Sequence, residues 1–148
     1  MQEPREIFQT FTRRFGLLNK NCCSVLDQEV SLVQSHILFE VSKHPGSAMQ
    51  EIADALGMDI TTFSRQIQTL IKRGLVLKSP SSEDRRIQLL FLTPLGQQVA
   101  DGIDSEMNGY LEEIFQQMTS FEKATVLQSI ELLNDAMLNS DSCCKTLS

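Results

Sequence analysis

Residues 56–96 read LGMDITTFSRQIQTLIKRGLVLKSPSSEDRRIQLLFLTPLG. Ile60, Phe63, Ile67, Leu70 and Ile71 recur at spacings of three and four, the stripe of an amphipathic helix facing inward. Asp59 stands where a helix cap belongs, and Gly74 where a left-handed residue ends the helix. Leu75-Val76-Leu77 and Ile87 to Leu92 then read as two short strands. Between them lies a polar loop, Lys78 to Arg85, and its far side carries Asp84, Arg85 and Arg86. Arg65, Lys72, Arg73, Lys78, Arg85 and Arg86 stand against Asp59, Glu83 and Asp84, which makes residues 59–90 +3 in a chain of net −6. A basic helix and hairpin inside an acidic protein predict a surface that meets nucleic acid.

The chain has 148 residues, 41% of them hydrophobic, enough for one domain with a real core or two small lobes. Its apolar runs fall short of the ~18 residues of a membrane span, and the N-terminal MQEPREIFQTFTRRF lacks the apolar core of a secretory signal. We therefore expect a cytoplasmic protein, no membrane partner, and four reduced cysteines. Residues 22–58 carry −4 and residues 91–148 carry −7, so the flanks repel DNA. Contact should be confined to the centre and, at +2, the first 21 residues.

Working outward, Pro4 is a good first-turn residue for a helix with Ile7, Phe8, Phe11, Phe15 and Leu18 on one stripe. Ser31 with Gln34 forms a capping box opening a helix over roughly 32–43, which His44-Pro45-Gly46 ends. Ser47 with Gln50 reads as a second box, opening a helix that buries Ile52, Ala53 and Leu56 and stops at Gly57. Thr93-Pro94 starts a helix expected to reach about Met118. Thr119 with Glu122 opens a last helix with Val126, Leu127, Ile130, Leu133 and Met137 inward. The fold class is mainly α with a small β-hairpin wing (α+β). The outer helices hold more apolar surface than the central lobe can cover, which predicts a homodimer. Residues 1–30 and 94–148 would form the helical dimerisation region, and residues 31–93 the DNA-binding lobe.

A helix-turn-helix needs a short helix, a tight turn with glycine, and a second helix with small polar and basic residues outward. Leu56-Gly57-Met58-Asp59 supplies the turn, and Thr61, Thr62, Ser64, Arg65, Gln68 and Lys72 supply the outward face. Short hydroxyls allow entry into a major groove, and Arg65 and Gln68 reach base edges. A merely solvated helix face reads the same way on its own. An arginine at a hairpin tip suits a minor groove, and Asp84, two residues from Arg86, can hold its guanidinium in shape. The plainer reading there is a surface ion pair.

At these residues the chain resembles the multiple-antibiotic-resistance regulator (MarR) family of bacterial winged-helix transcription factors. The matching features are the helix pair from Ser47 to Gly74, the run SRQIQTLIKRGLV, the EDRR wing and the LTPLG after it. The resemblance covers roughly residues 5 to 138. It implies a homodimer that binds a pseudo-palindromic DNA operator, usually as a repressor released by a ligand or by thiol chemistry. It also implies that Asp84 and Arg86 are the wing pair, with Arg86 in the minor groove, and that Ser64, Arg65 and Gln68 lie on the recognition helix. One departure stands out. The family wing often reads Asp-Pro-Arg where this chain has Ser81-Ser82-Glu83, exchanging a positive charge for a negative one.

Cys22-Cys23 follow the first helix and Cys143-Cys144 lie near the C-terminus. Two vicinal pairs among four cysteines suit a sensor of oxidants, electrophiles or a soft metal or metalloid; a core cysteine and an inert tail are the plain readings. His36 lacks a recognised metal spacing, and we expect no bound metal and no cofactor. With Phe11 and Phe15 it marks a candidate small-molecule pocket. No HExxH, phosphate-binding glycine loop or GxSxG is present, so we expect no enzyme. A protein-interaction module without DNA binding is the rival class.

Overall fold

The computed structural model describes residues 2–21 and 24–140. In chain order these residues form α1 (Pro4–Asn21), β1 (Ser24–Val25), β2 (Gln28–Glu29), α2 (Leu32–Lys43), β3 (Ser47–Ala48) and α3 (Met49–Ala55). Then follow α4 (Ile60–Lys72), β4 (Val76–Pro80), β5 (Gln88–Leu92), α5 (Pro94–Phe115) and α6 (Ser120–Leu138). The cap chemistry explains most boundaries. Ser31 Oγ accepts from Gln34 N while Gln34 Oε1 accepts from Ser31 N, both at 3.2 Å, a complete capping box. Asp59, Thr93 and Thr119 each accept a backbone N–H of the first turn they precede. Gly57 and Gly74 have φ of 64° and 74°, the left-handed conformation that lets the chain leave a helix sharply.

The central lobe closes on one core. Ile37, Leu38 and Val41 of α2 meet Ile52 and Ala53 of α3, Phe63, Ile67 and Leu70 of α4, Leu75 and Val76, Leu90 of β5, and Val99 and Ile103 of α5. The first turns of α5 thus belong to the lobe's core. Gly96 is what permits this: a Cβ there would run into the Leu75 carbonyl oxygen. Thr93 Oγ1 donates to the Gly74 carbonyl at 2.6 Å and accepts from Gly96 N at 2.9 Å, tying the end of α4 to the start of α5.

Several expectations are corrected. Ser47 does not cap α3. It lies in β3, which pairs antiparallel with β5 as Ser47↔Leu90 and Ala48↔Leu89. The helix starts one residue later, its cap Ala48 makes no side-chain hydrogen bond, and Gln50 donates instead to Asp54 Oδ1. The sheet therefore has three strands in the order β3-β5-β4. The wing loop is shorter than expected, because β4 runs on to Pro80; as an edge strand it tolerates proline. Helix α5 ends at Phe115, and Gln116 to Met118 turn instead into α6. Ile60, expected inward, is exposed at the first turn of α4. The hairpin β1–β2 was not anticipated; its turn residues, Leu26 and Asp27, carry no glycine signal although both have positive φ.

The outer helices differ from expectation in another way. Helix α6 buries no residue, and Leu127, Ile130 and Met137 are exposed rather than inward. The stripe of α1 is likewise uncovered, with Phe8 and Phe11 nearly half exposed and the Phe11 and Phe15 rings stacked at 5.7 Å. These are apolar faces awaiting cover, the condition from which a dimer was expected.

Candidate nucleic-acid interface

Helix α4 is strongly two-sided. Phe63, Ile67 and Leu70 are buried to 1% exposure or less and fix its axial rotation. That rotation turns Thr61, Thr62, Arg65, Gln68 and Lys72 outward, with Ser64 partly buried at the margin. Asp59 Oδ2 accepts from Thr62 N at 3.2 Å, so one backbone donor at the helix start is satisfied internally. Thr61, Thr62, Arg65, Gln68 and Lys72, chosen from sequence, share this exposed face with Thr69.

The wing is a hairpin closed by Ser81 N donating to Ile87 O at 2.8 Å and Ile87 N donating to Asp84 O at 3.0 Å. Asp84 Oδ1 accepts from Arg86 N and Nε, and Oδ2 accepts from Arg86 Nη2 at 3.0 Å. The Arg86 side chain stays 90% exposed. Its hydrogen bonds hold the Asp84 carboxyl below the ordinary aspartate range, the side-chain bond contributing most and the backbone N–H next. The same pairing raises the Arg86 guanidinium above its ordinary value. The result is a permanently charged arginine held in one shape on a solvent-exposed loop, which suits it to a groove of high negative potential. Arg85 is exposed beside it.

Arg73 is different. Counted in the basic island, its guanidinium turns back into the protein, toward Gln28, Glu29 and Gln34. Sequence reasoning missed this. The partners lie 39 to 45 residues away, and no local pattern announces them.

A cavity of about 510 Å³ lies between α2 and α5. Leu32, Phe39, Leu56, Ile103 and Met107 line it, with His36, Glu40, Lys43 and Asp104 among its polar groups. His36 is therefore in the lining, whereas Phe11 and Phe15 are not. Among the described residues, no group of three His, Cys, Asp or Glu is arranged to hold a metal ion. No helix among them is long and apolar enough to cross a membrane. Cys22, Cys23, Cys143 and Cys144 lie outside the described residues.

Residues 30–88 match the model of the MarR family, and they include α4 and the wing loop. This winged-helix lobe is similar to that of the MarR family. Among curated relatives, the HTH-type transcriptional regulator YybA of Bacillus subtilis is 28% identical over 100 residues, covering 68% of this chain and 67% of its own. Among solved structures, Streptococcus pneumoniae FabT in complex with DNA superposes with a TM-score of 0.81 at 18% identity, covering 93% of this chain and 99% of that one. The PcaV transcriptional regulator of Streptomyces coelicolor, in complex with its natural ligand, gives 0.73 at 21% identity, covering 91% and 94%. The structural likenesses extend the similarity of fold beyond the matched lobe to the outer helices.

Proposed function

We propose that this chain is a MarR-family transcriptional regulator, a homodimeric repressor that binds a pseudo-palindromic operator and is released by an effector. The observation that carries DNA recognition is the Asp84–Arg86 wing pair, doubly hydrogen-bonded and with its arginine exposed, on the same lobe as the outward row of α4. Ser64, Arg65 and Gln68 read the major groove, Thr61, Thr62 and Lys72 take phosphates, and Arg85 and Arg86 engage the minor groove and its rim. Residues 1–30 and 94–148 supply the dimer helices, which accounts for the uncovered apolar faces of α1 and α6. Two recognition helices would then meet half-sites about 34–36 Å apart.

The experiment is a mobility shift with the duplex upstream of the protein's own gene, titrated with salt and with unrelated duplex. Salt-sensitive, sequence-selective retardation supports the reading. Absence of any duplex binding favours the protein-interaction module instead.

For release, the α2–α5 cavity is of the size that small ligands occupy, and it mixes an apolar lining with a few polar groups, His36 among them. A ligand there would bear on α5, whose first turns are built into the DNA lobe. The second reading is thiol sensing through Cys22 and Cys23, with Cys143 and Cys144 as partners. It is favoured by their place in the chain: Cys22-Cys23 directly precede β1, and Val25 of β1 packs against Gly102 of α5. Operator release by oxidant, arsenite or a soft metal, abolished by Cys22→Ser with Cys23→Ser, would establish it. No response to any of these leaves the cavity as the sensor.

A further inference from the structure

We propose that Arg73 is a positioning residue for the recognition helix, and that the hairpin β1–β2 is the strap through which it acts. The proposal rests on the operator-binding reading above. Arg73 immediately follows the last residue of α4. Its Nη1 donates to Gln34 Oε1 at 3.3 Å, and its Nη2 donates to Gln28 Oε1 at 2.8 Å and to the Glu29 carbonyl at 2.6 Å. Gln34 extends the network, because its Nε2 donates to Gln66 Oε1 in the middle of α4 at 3.2 Å. The C-terminal half of α4 is thus pinned at two points, both to elements that precede it by more than thirty residues.

The other end of the strap is on α5. A Cβ at Gly102 would collide with the Val25 side chain, so β1 lies directly on α5 at a position only glycine allows. Between these anchors the hairpin turns through Leu26 and Asp27 at φ of 53° and 60°. Two consecutive left-handed residues suit a two-residue hairpin of the primed type, which normally recruits asparagine or glycine. Non-glycine residues hold that conformation only where the surroundings over-determine it. The hairpin is therefore a strained element clamped between α5 and the end of α4. Base readout tolerates only about 0.5 Å and 10–20° of misplacement in the groups that perform it, so loss of one clamp is felt at the base edges. A lysine cannot replace the arginine, because the planar fork meets acceptors on β2 and α2 together.

The test uses the full-length dimer and measures affinity for the operator and for an unrelated duplex across a salt series. Arg73→Ala should weaken operator binding about tenfold, the size of one lost charge-assisted hydrogen bond. Affinity for the unrelated duplex and the log–log salt slope should not change. Arg73→Lys should not rescue. Gln28→Ala, which alters no charge, should weaken operator binding in the same selective way, and the double variant should be no worse than Arg73→Ala alone. A slope reduced by about one, with both affinities falling, makes Arg73 a phosphate contact and overturns the proposal. Unchanged operator affinity overturns it as well, as does an equal loss on both duplexes with a lowered melting temperature. If Arg73→Ala does not fold, Gln28→Ala carries the same comparison. Failure of the wild-type chain to bind any duplex would instead remove the operator reading on which this stands.

Discussion

Asp84 grips Arg86 at two points, Nε to Oδ1 and Nη2 to Oδ2, each 3.0 Å, and leaves the arginine 90% exposed. A carboxylate so close would ordinarily compete with DNA for the guanidinium. Here it uses only one edge, so the pair orients the charge without hiding it. Arg86→Ala should cost operator binding about 1–3 kcal/mol per contact made. Asp84→Ala should cost less, because the charge survives and only its orientation is lost. Operator titrations of both variants check this order; equal affinity of Arg86→Ala and wild type would remove the wing from the interface.

The pH response of the pair follows from its shifts. Asp84 titrates below the ordinary aspartate value of 3.8, drawn down first by the Arg86 side chain and then by the Arg86 backbone N–H. Its contribution is therefore present above that ordinary value and is lost only as pH falls through the lower folded one. Arg86 is raised from an already high value and stays charged throughout. The affinity ratio between wild type and Asp84→Ala should accordingly be flat from about pH 5 to pH 8. A step in that ratio inside the window would show that another titrating group governs the wing.

Salt dependence counts the phosphates. If each subunit neutralises three or four, the dimer should show a log–log slope of about −5 to −7. A slope near zero in a titration of the operator would contradict a charged interface built from Arg65, Lys72, Arg85 and Arg86.

Gly96 and Gly109 lie on the same helix and should respond oppositely to alanine. At Gly96 the new methyl meets the Leu75 backbone, which cannot move without disturbing the Thr93 N–H to Leu75 O bond of 3.1 Å. Gly96→Ala should destabilise by about 1–3 kcal/mol or more. At Gly109 a Cβ meets nothing within 4 Å in the single chain, and alanine should stabilise by up to about 1 kcal/mol. Urea unfolding of the two variants measures both signs. Destabilisation at Gly109 would indicate that a second subunit packs closely there.

The turn of β1–β2 offers a further check. Replacing Leu26 with Asn and Asp27 with Gly supplies residues that accept left-handed φ, and should raise stability by about 1 kcal/mol. A lowered melting temperature would mean that the Leu26 side chain contributes more than its conformation costs.

Much of the lobe was legible in the chain because its signals are local. The caps Ser31, Asp59, Thr93 and Thr119, the left-handed glycines 57 and 74, and the three-four spacing of Phe63, Ile67 and Leu70 all act within one or two turns of helix. The outward row of α4 follows from the same spacing, since burying one face determines the other. Asp84 and Arg86 are two residues apart, so their pairing was visible as well. Ser47 was misread because the local spacing gives it the role of a helix cap, whereas its pairing with the distant Leu90 makes it part of a strand.

What the sequence by itself determined is thus the amphipathic lobe, its outward basic row and the wing pair, all products of interactions between near neighbours. What only the tertiary structure decided is where the long-range partners meet. Arg73 bonds to Gln28, Glu29 and Gln34, β3 joins β5, β1 seats on Gly102, and the cavity takes His36 without Phe11 or Phe15. The physical reason is the same in each case. A donor or a methyl group is satisfied by whatever the folded chain brings within a few ångströms, and chain separation carries no record of that approach.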